Sequence, residues 1–396
     1  MSSTPKITDS LEFPSDISLP KYLTGFGIVG IIASAIGYFL NSEQFFFSYL
    51  TSFVFFASFG LGALFLVMIH HLTRSEWGIV LRRIPEVLSA NILYWAIFFI
   101  PLLFGMHSLY HWTHEDAVAQ DHILQGKVPY LNVPFYIVRQ FIFFAVWGFL
   151  GYKLHKTSVE QDETGDWGLQ TLQRRISGPG ILLFALAIGF ASYDWLMSLD
   201  PHWFSTMFGV YFFAMSFQAL FPFLILMVFY LHKKGLLTNT IRDAHIHDLG
   251  NWMFAFTIFY AYIAFSQFLL IYYANMPEET LWYFHRLEGG YGFIAYSLLI
   301  FRFAVPFLVL LNRPSKSNRT VLIAISILIL VVHFLEIYWI VMPTFHEHGL
   351  HLSWLDVTTF IGLGGIFMSL FFWKFQQHSM VPKNDPKLDN SLAKHL

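Results

Sequence analysis

Ten long apolar runs leave this chain almost no choice of medium. Read between polar breaks, they fall at 22–40, 44–70, 85–104, 131–152, 179–198, 203–232, 249–272, 289–312, 320–342 and 352–375. A run of this length with few charges can cross a bilayer as one helix, and helix satisfies the backbone amides that hydrocarbon cannot. The runs are apolar on all faces, as helices meeting lipid or one another must be. Composition agrees: 56% of residues are hydrophobic and 12% charged, about half the charge of a soluble domain. The expected fold class is an all-α integral membrane protein with ten transmembrane helices. Residues 1–21 are expected as a cytoplasmic N-terminal segment, 22–376 as the membrane domain and 377–396 as a cytoplasmic tail. Residues 1–20 are polar and Ser-rich, unlike a cleaved signal, so the first span is expected to direct insertion.

Lys and Arg set the direction of the spans. If the spans alternate, 19 of the 23 bases fall on one side. They are Lys6, Lys21, Arg74, Arg82, Arg83, Lys153, Lys156, Arg174, Arg175, Lys233, Lys234, Arg242, Arg313, Lys316, Arg319, Lys374, Lys383, Lys387 and Lys394. The opposite loops hold only Lys127 and Arg286, and Arg139 and Arg302 lie inside spans. One span missed or invented would destroy this asymmetry, so both termini are expected in the cytoplasm. The opposite, outer loops carry nine His: His107, His111, His114, His122, His202, His285, His346, His348 and His351. Acids accompany them at Glu115, Asp116, Asp121, Asp200, Glu278, Glu279, Glu288 and Glu347. Such loops bind protons near neutral pH, could dock a basic domain, or are simply wet.

Several chemistries find no support. A net charge of −2 gives no basic field for nucleic acid. The absence of Cys removes disulfides, Cys-ligated iron–sulfur clusters and covalent haem. His107, His111 and His114 would share a face if helical, but no clear fourth ligand accompanies them, so no metal is expected. Only His333 lies deep enough for a b-type haem, which needs two facing His. There is no phosphate-cradling loop and no nucleophile elbow. Gly362, Gly364 and Gly365 read as close helix packing in the last span.

Ionisable groups inside spans cost about 2.5–3.5 kcal/mol each and normally face a partner. Arg139 and Gln140 lie in span 4, Asp194 in span 5, Arg302 in span 8, His333 and Glu336 on one face of span 9, and Asp356 in span 10. Glu86 and Asn91 lie near the inner end of span 3, beside Arg82 and Arg83, while Gln218 and Gln267 add amides in spans 6 and 7. One reading pairs Arg302 with Glu336 and Arg139 with Asp194 as closed ion pairs. The other strings Asp194, His333, Glu336 and Asp356 into a proton path, with Arg139 and Arg302 setting their proton affinities. Asp194 and the Asp200-Pro-His-Trp203 turn are a natural entry or exit.

Spans 2–5 and 6–9 both begin and end outside, as parallel repeats do. A weak likeness between Leu231-His-Lys-Lys234 and the His70-His71 end of span 2 points to internal duplication.

The run from Ser192 to Tyr211, with its Asp-Trp-Leu-Met-Ser-Leu-Asp-Pro-His-Trp-Phe-Ser-Thr block, resembles the ActF-type membrane subunits of bacterial alternative complex III. These belong to the wider NrfD/PsrC-like family of membrane anchors, and the resemblance extends over all ten spans. It implies two four-helix bundles (spans 2–5, about 44–198, and spans 6–9, about 203–342) flanked by one helix at each end. It also implies a bacterial inner membrane location and a respiratory quinol:electron-acceptor oxidoreductase. Its partners would be an ActC-like homologue, a multihaem cytochrome, an iron–sulfur protein, small membrane subunits, often a haem–copper oxidase, and membrane lipids. Quinol, haem c and iron–sulfur clusters would then sit in the partner subunits, with no cofactor bound by this chain. The expected function is a non-redox subunit that stabilises the assembly and conducts protons, with no catalytic residue of its own. The alternatives are a quinol-binding redox subunit and an independent secondary transporter.

Overall fold

The computed structural model describes residues 7–14 and 17–394. Lys6, counted above among the inner bases, and the last two residues of the tail lie outside the described residues. The described residues form helices, turns and irregular segments with no strand, and ten helices are long and apolar enough to cross a membrane. They are α1 (Leu19–Leu40), α2 (Ser42–Thr73), α3 (Arg83–Phe104), α4 (Val133–Thr164), α5 (Trp167–Leu199), α6 (Phe208–Lys233), α7 (Asp243–Ala274), α8 (Tyr291–Leu311), α9 (Arg319–Thr344) and α10 (Trp354–Phe375).

Most helix ends fall within a few residues of the apolar runs; α4 and α5 differ. The run at 131–152 continues as helix to Thr164, and the run at 179–198 begins as helix at Trp167. Hydropathy reports only the hydrocarbon stretch, whereas helical hydrogen bonds continue into water through good helix formers such as Lys, Glu and Gln. Each end then has its own stop. Gly165 closes α4 in the left-handed region at φ 67, and Asp166 caps α5 through Gly168 N. Span 6 begins later than its apolar run because 201–207 forms turns before α6. Asn91 interrupts α3 between Ala90 and Ile92.

Helices α2 to α5 contact one another around one bundle, and α6 to α9 around a second. The bundles meet along α2 and α6, which are buried over nearly their whole length. The two flanking helices are neighbours: α1 packs along α10, and α10 packs against α2. Glycines make this approach possible. A Cβ on Gly27 would lie 2.9 Å from Ile366 N, and one on Gly362 would lie 2.9 Å from Ile31 N. Thr24 donates to Ser369 Oγ across the pair at 2.9 Å. The last-span glycines therefore do serve helix packing: Gly362 and Gly365 meet Gly30 and Gly27 of α1, and Gly364 meets the Phe56 ring of α2.

The two ends of the molecule are chemically distinct, and contacts between loops fix which loops share an end. The C-terminal segment folds back over the basic end instead of trailing away from it. Lys387 bonds Glu76 Oε1 at 2.6 Å, Ser391 O accepts from His245 Nε2 at 3.0 Å, and Lys394 pairs with Asp248. Met380 N reaches Leu11 O at 2.7 Å, so the N-terminal segment is tied in as well. At the opposite end His202 pairs with Asp121 at 2.5 Å and His346 bonds Gln44 at 2.7 Å.

Candidate functional site

The deepest polar cluster lies in the second bundle, where it touches the first. Arg302 comes from the middle of α8, about 16 Å along the helix from Tyr291 at 1.5 Å per residue. The turn that carries it, Leu298–Ala304, is π-helical. Pro306 has no N–H to return to the carbonyl of Arg302, so the α-helical ladder is already broken at this point. Single π turns of this kind recur at functional sites.

Arg302 is wholly buried and its guanidinium has four different neighbours. Nε donates to Gln218 Oε1 at 3.0 Å, Nη2 to Met215 O at 3.2 Å and Nη1 to His333 Nδ1 at 3.0 Å. Nη1 also lies 2.6 Å from Glu336 Oε2, but off the direction a hydrogen bond requires, since Oε2 has no aligned donor. The other carboxylate oxygen, Oε1, accepts from Tyr260 at 2.5 Å and from Tyr211. Because Nδ1 of His333 accepts from a guanidinium, its proton belongs on Nε2, which meets Ser58 Oγ at 2.9 Å. Ser58 in turn donates to Phe55 O at 2.6 Å. Ser58 stands on α2, so the cluster joins the two bundles at mid-depth.

Arg139 and Asp194 form a different arrangement. Nε and Nη2 of Arg139 grip both Asp194 oxygens at 2.8 and 2.9 Å, the planar two-point pairing that Arg favours. Gln140 and Tyr130 donate to the same carboxylate at 2.9 and 3.1 Å, and Tyr130 O takes Nη1 at 2.8 Å. Every oxygen and each guanidinium edge is answered, so this is a closed ion pair. Beside it opens a cavity of about 280 Å³ lined by Lys127, Tyr130, Tyr193, Met197, Trp203 and Phe204.

Asp356 lies apart from both, at the end of α10 remote from the basic end. It caps its own helix through Ser353 N at 2.9 Å and accepts from Ser48 Oγ at 2.5 Å. Gln44 donates to Ser48 at 3.0 Å and its carbonyl meets His346 Nε2. One turn deeper, Ser52 pairs with Thr359 at 3.0 Å. Ser48, Ser52 and Ser58 thus run down α2 from the end remote from the basic face to His333, with the ring of Phe55 5.3 Å from the imidazole between the last two.

At the basic end Arg82 pairs with Glu86 (2.9 Å) and Asp385 (2.7 Å), while Arg83 pairs with Glu86 (2.9 Å) and Asp162. All five are buried. The proximity of Glu86 to the two arginines was legible in the sequence, but the other two acids were not.

Of the six residues singled out, the structure brings together Arg302, Glu336 and His333, and separately Arg139 and Asp194, leaving Asp356 with neither group. Sequence reasoning missed Tyr211, Tyr260 and Ser58. Two phenols among 19 Tyr and one hydroxyl in an apolar run carry no signal of their own. The trio His107, His111 and His114 does not form one helical face, because α-helix stops at Leu109. The rings of His107 and His114 pack at a tilt with centres 3.8 Å apart. Among the described residues no group of three His, Asp or Glu is placed to hold a metal ion. Compared with known proteins, the chain matches no protein-family model and no curated protein.

Proposed function

We propose that this chain is a non-catalytic subunit of a quinol-oxidising respiratory complex in a bacterial inner membrane, with both termini cytoplasmic, and that it carries protons through its second bundle. The Asp-Pro-His-Trp block and its likeness to the alternative complex III subunits support the setting. The observation that carries the proton role is Glu336. A buried carboxylate with two phenols on one oxygen and an imperfectly aligned guanidinium on the other has a donor, an acceptor and an exchangeable proton within reach. The hydroxyl line on α2 points from Ser58 toward the outer loops, where protons reach water. In this reading Arg302 anchors both Glu336 and His333, and His333 relays toward Ser58. Arg139 and Asp194 brace α4 against α5. The test is proton-to-electron stoichiometry in the reconstituted complex. With Glu336→Gln the assembly and electron transfer are expected to persist while stoichiometry falls; unchanged stoichiometry removes Glu336 from the path.

One observation favours a second reading, that quinol binds this chain itself. The aromatic cavity near Tyr193 and Phe204 reaches Tyr130, whose hydroxyl bonds Asp194. Resistance to a quinol-site inhibitor on Asp194→Asn would support it, and unaltered inhibition would remove it.

A further inference from the structure

The basic end of the second bundle holds an open cavity of about 390 Å³, and its wall is cationic. It is lined by Thr238, Ile241, Arg242, Asp243, Ala244, Arg319 and Lys394. Here the N-termini of α7 and α9 come together with the returning C-terminal segment. Among the described residues Arg242 spends only Nε, on Asn239 O at 3.2 Å, and makes no hydrogen bond from Nη1 or Nη2. Arg319 has a loose partner, with Nη2 3.6 Å from Asp243 Oδ1. Lys394 is answered by Asp248. Asp9, the other nearby acid, has both oxygens committed to Asn239 and Thr240. The lining therefore has three cations and one acid, with the Nη edge of Arg242 unbonded, Arg319 exposed and loosely paired, and the positive end of a 32-residue helix beside them.

We propose that this cavity binds a phosphate group, held by Arg242 and Arg319 in the two-point manner guanidinium favours. The phosphate is that of an anionic phospholipid headgroup or of a phosphate free in solution; basic pockets at the inner ends of membrane helices suit the first. Because Lys394 lines the cavity, binding also holds the C-terminal segment in place.

The full-length protein, in the complex with which it purifies, is titrated in detergent with dioleoylphosphatidylglycerol or dioleoylphosphatidylcholine, and bound lipid is counted by native mass spectrometry. Saturable binding of the anionic lipid alone is expected, weakened about 5-fold by Arg242→Gln or Arg319→Gln. Arg313→Gln, on an exposed base of the same face outside the cavity, should leave it unchanged. Competition by millimolar inorganic phosphate assigns the site to a soluble phosphate, and its absence assigns it to the lipid. Hydrogen exchange in 378–394 should slow on binding in either case. Equal retention of both lipids with no phosphate binding overturns the proposal, as does an equal loss with Arg313→Gln.

Discussion

Glu336 and Arg302 are fully buried and close together, so removing one strands the other. Arg302→Met leaves a lone carboxylate in the bundle, at a cost of about 3–5 kcal/mol. Adding Glu336→Gln removes the stranded charge yet keeps an acceptor for Tyr211 and Tyr260, so the double variant should recover more than half of that loss. Thermal unfolding in detergent reads both. Their pairing was foreseeable because each is an isolated charge in an apolar run. The phenols that complete the site were not, because a Tyr in a membrane helix is as ordinary at the interface as in the core. His346 gives a pH prediction. Its burial, with His351 beside it, holds its proton affinity below the usual imidazole value. The unfolded chain then takes up a proton near pH 6.5 that the folded chain still refuses. Stability from this group is therefore present above that pH and falls as the medium is acidified through it. Unfolding temperature followed from pH 8 to pH 5 should decline less steeply in His346→Gln.

At the scale of elements, the number and approximate placement of the helices were written in the apolar runs, because hydrocarbon allows little else. Their lengths were not, since α4 and α5 continue into water, where hydropathy is silent. Nor was the pairing of α1 with α10: the Gly362 and Gly365 positions signalled close contact but not with which helix. Absence of native Cys makes that contact simple to test. Thr24→Cys with Ser369→Cys should cross-link under mild oxidation, their hydroxyls being 2.9 Å apart. Adding Gly30→Ile, whose side chain would meet the backbone of Gly362, should abolish the link.

The whole molecule is two bundles joined in three ways. Ser58 reaches His333 at mid-membrane, and α2 lies along α6 throughout. At the basic end the C-terminal segment ties Arg82 and Arg83 of the first bundle to His245 and Asp248 of the second. Its composition reads as an ordinary polar tail, because the acids that it answers are distributed through three other segments. Deleting residues 378–394 should leave buried Arg82 without Asp385 and should speed hydrogen exchange across 74–90 and at the start of α7. Exchange at the Tyr291 end of α8 and in the Glu336 half of α9, at the opposite end from the segment, should be unchanged.

The α1–α10 contact also sets the order in which the molecule can be made. Residues Leu19–Leu40 leave the ribosome long before Trp354–Phe375 exist, and the glycine face of α1 has no groove to enter until they do. Throughout most of translation, then, the first helix waits in lipid with its closest partner unmade. The last helix inserted is the one that docks the first into the fold.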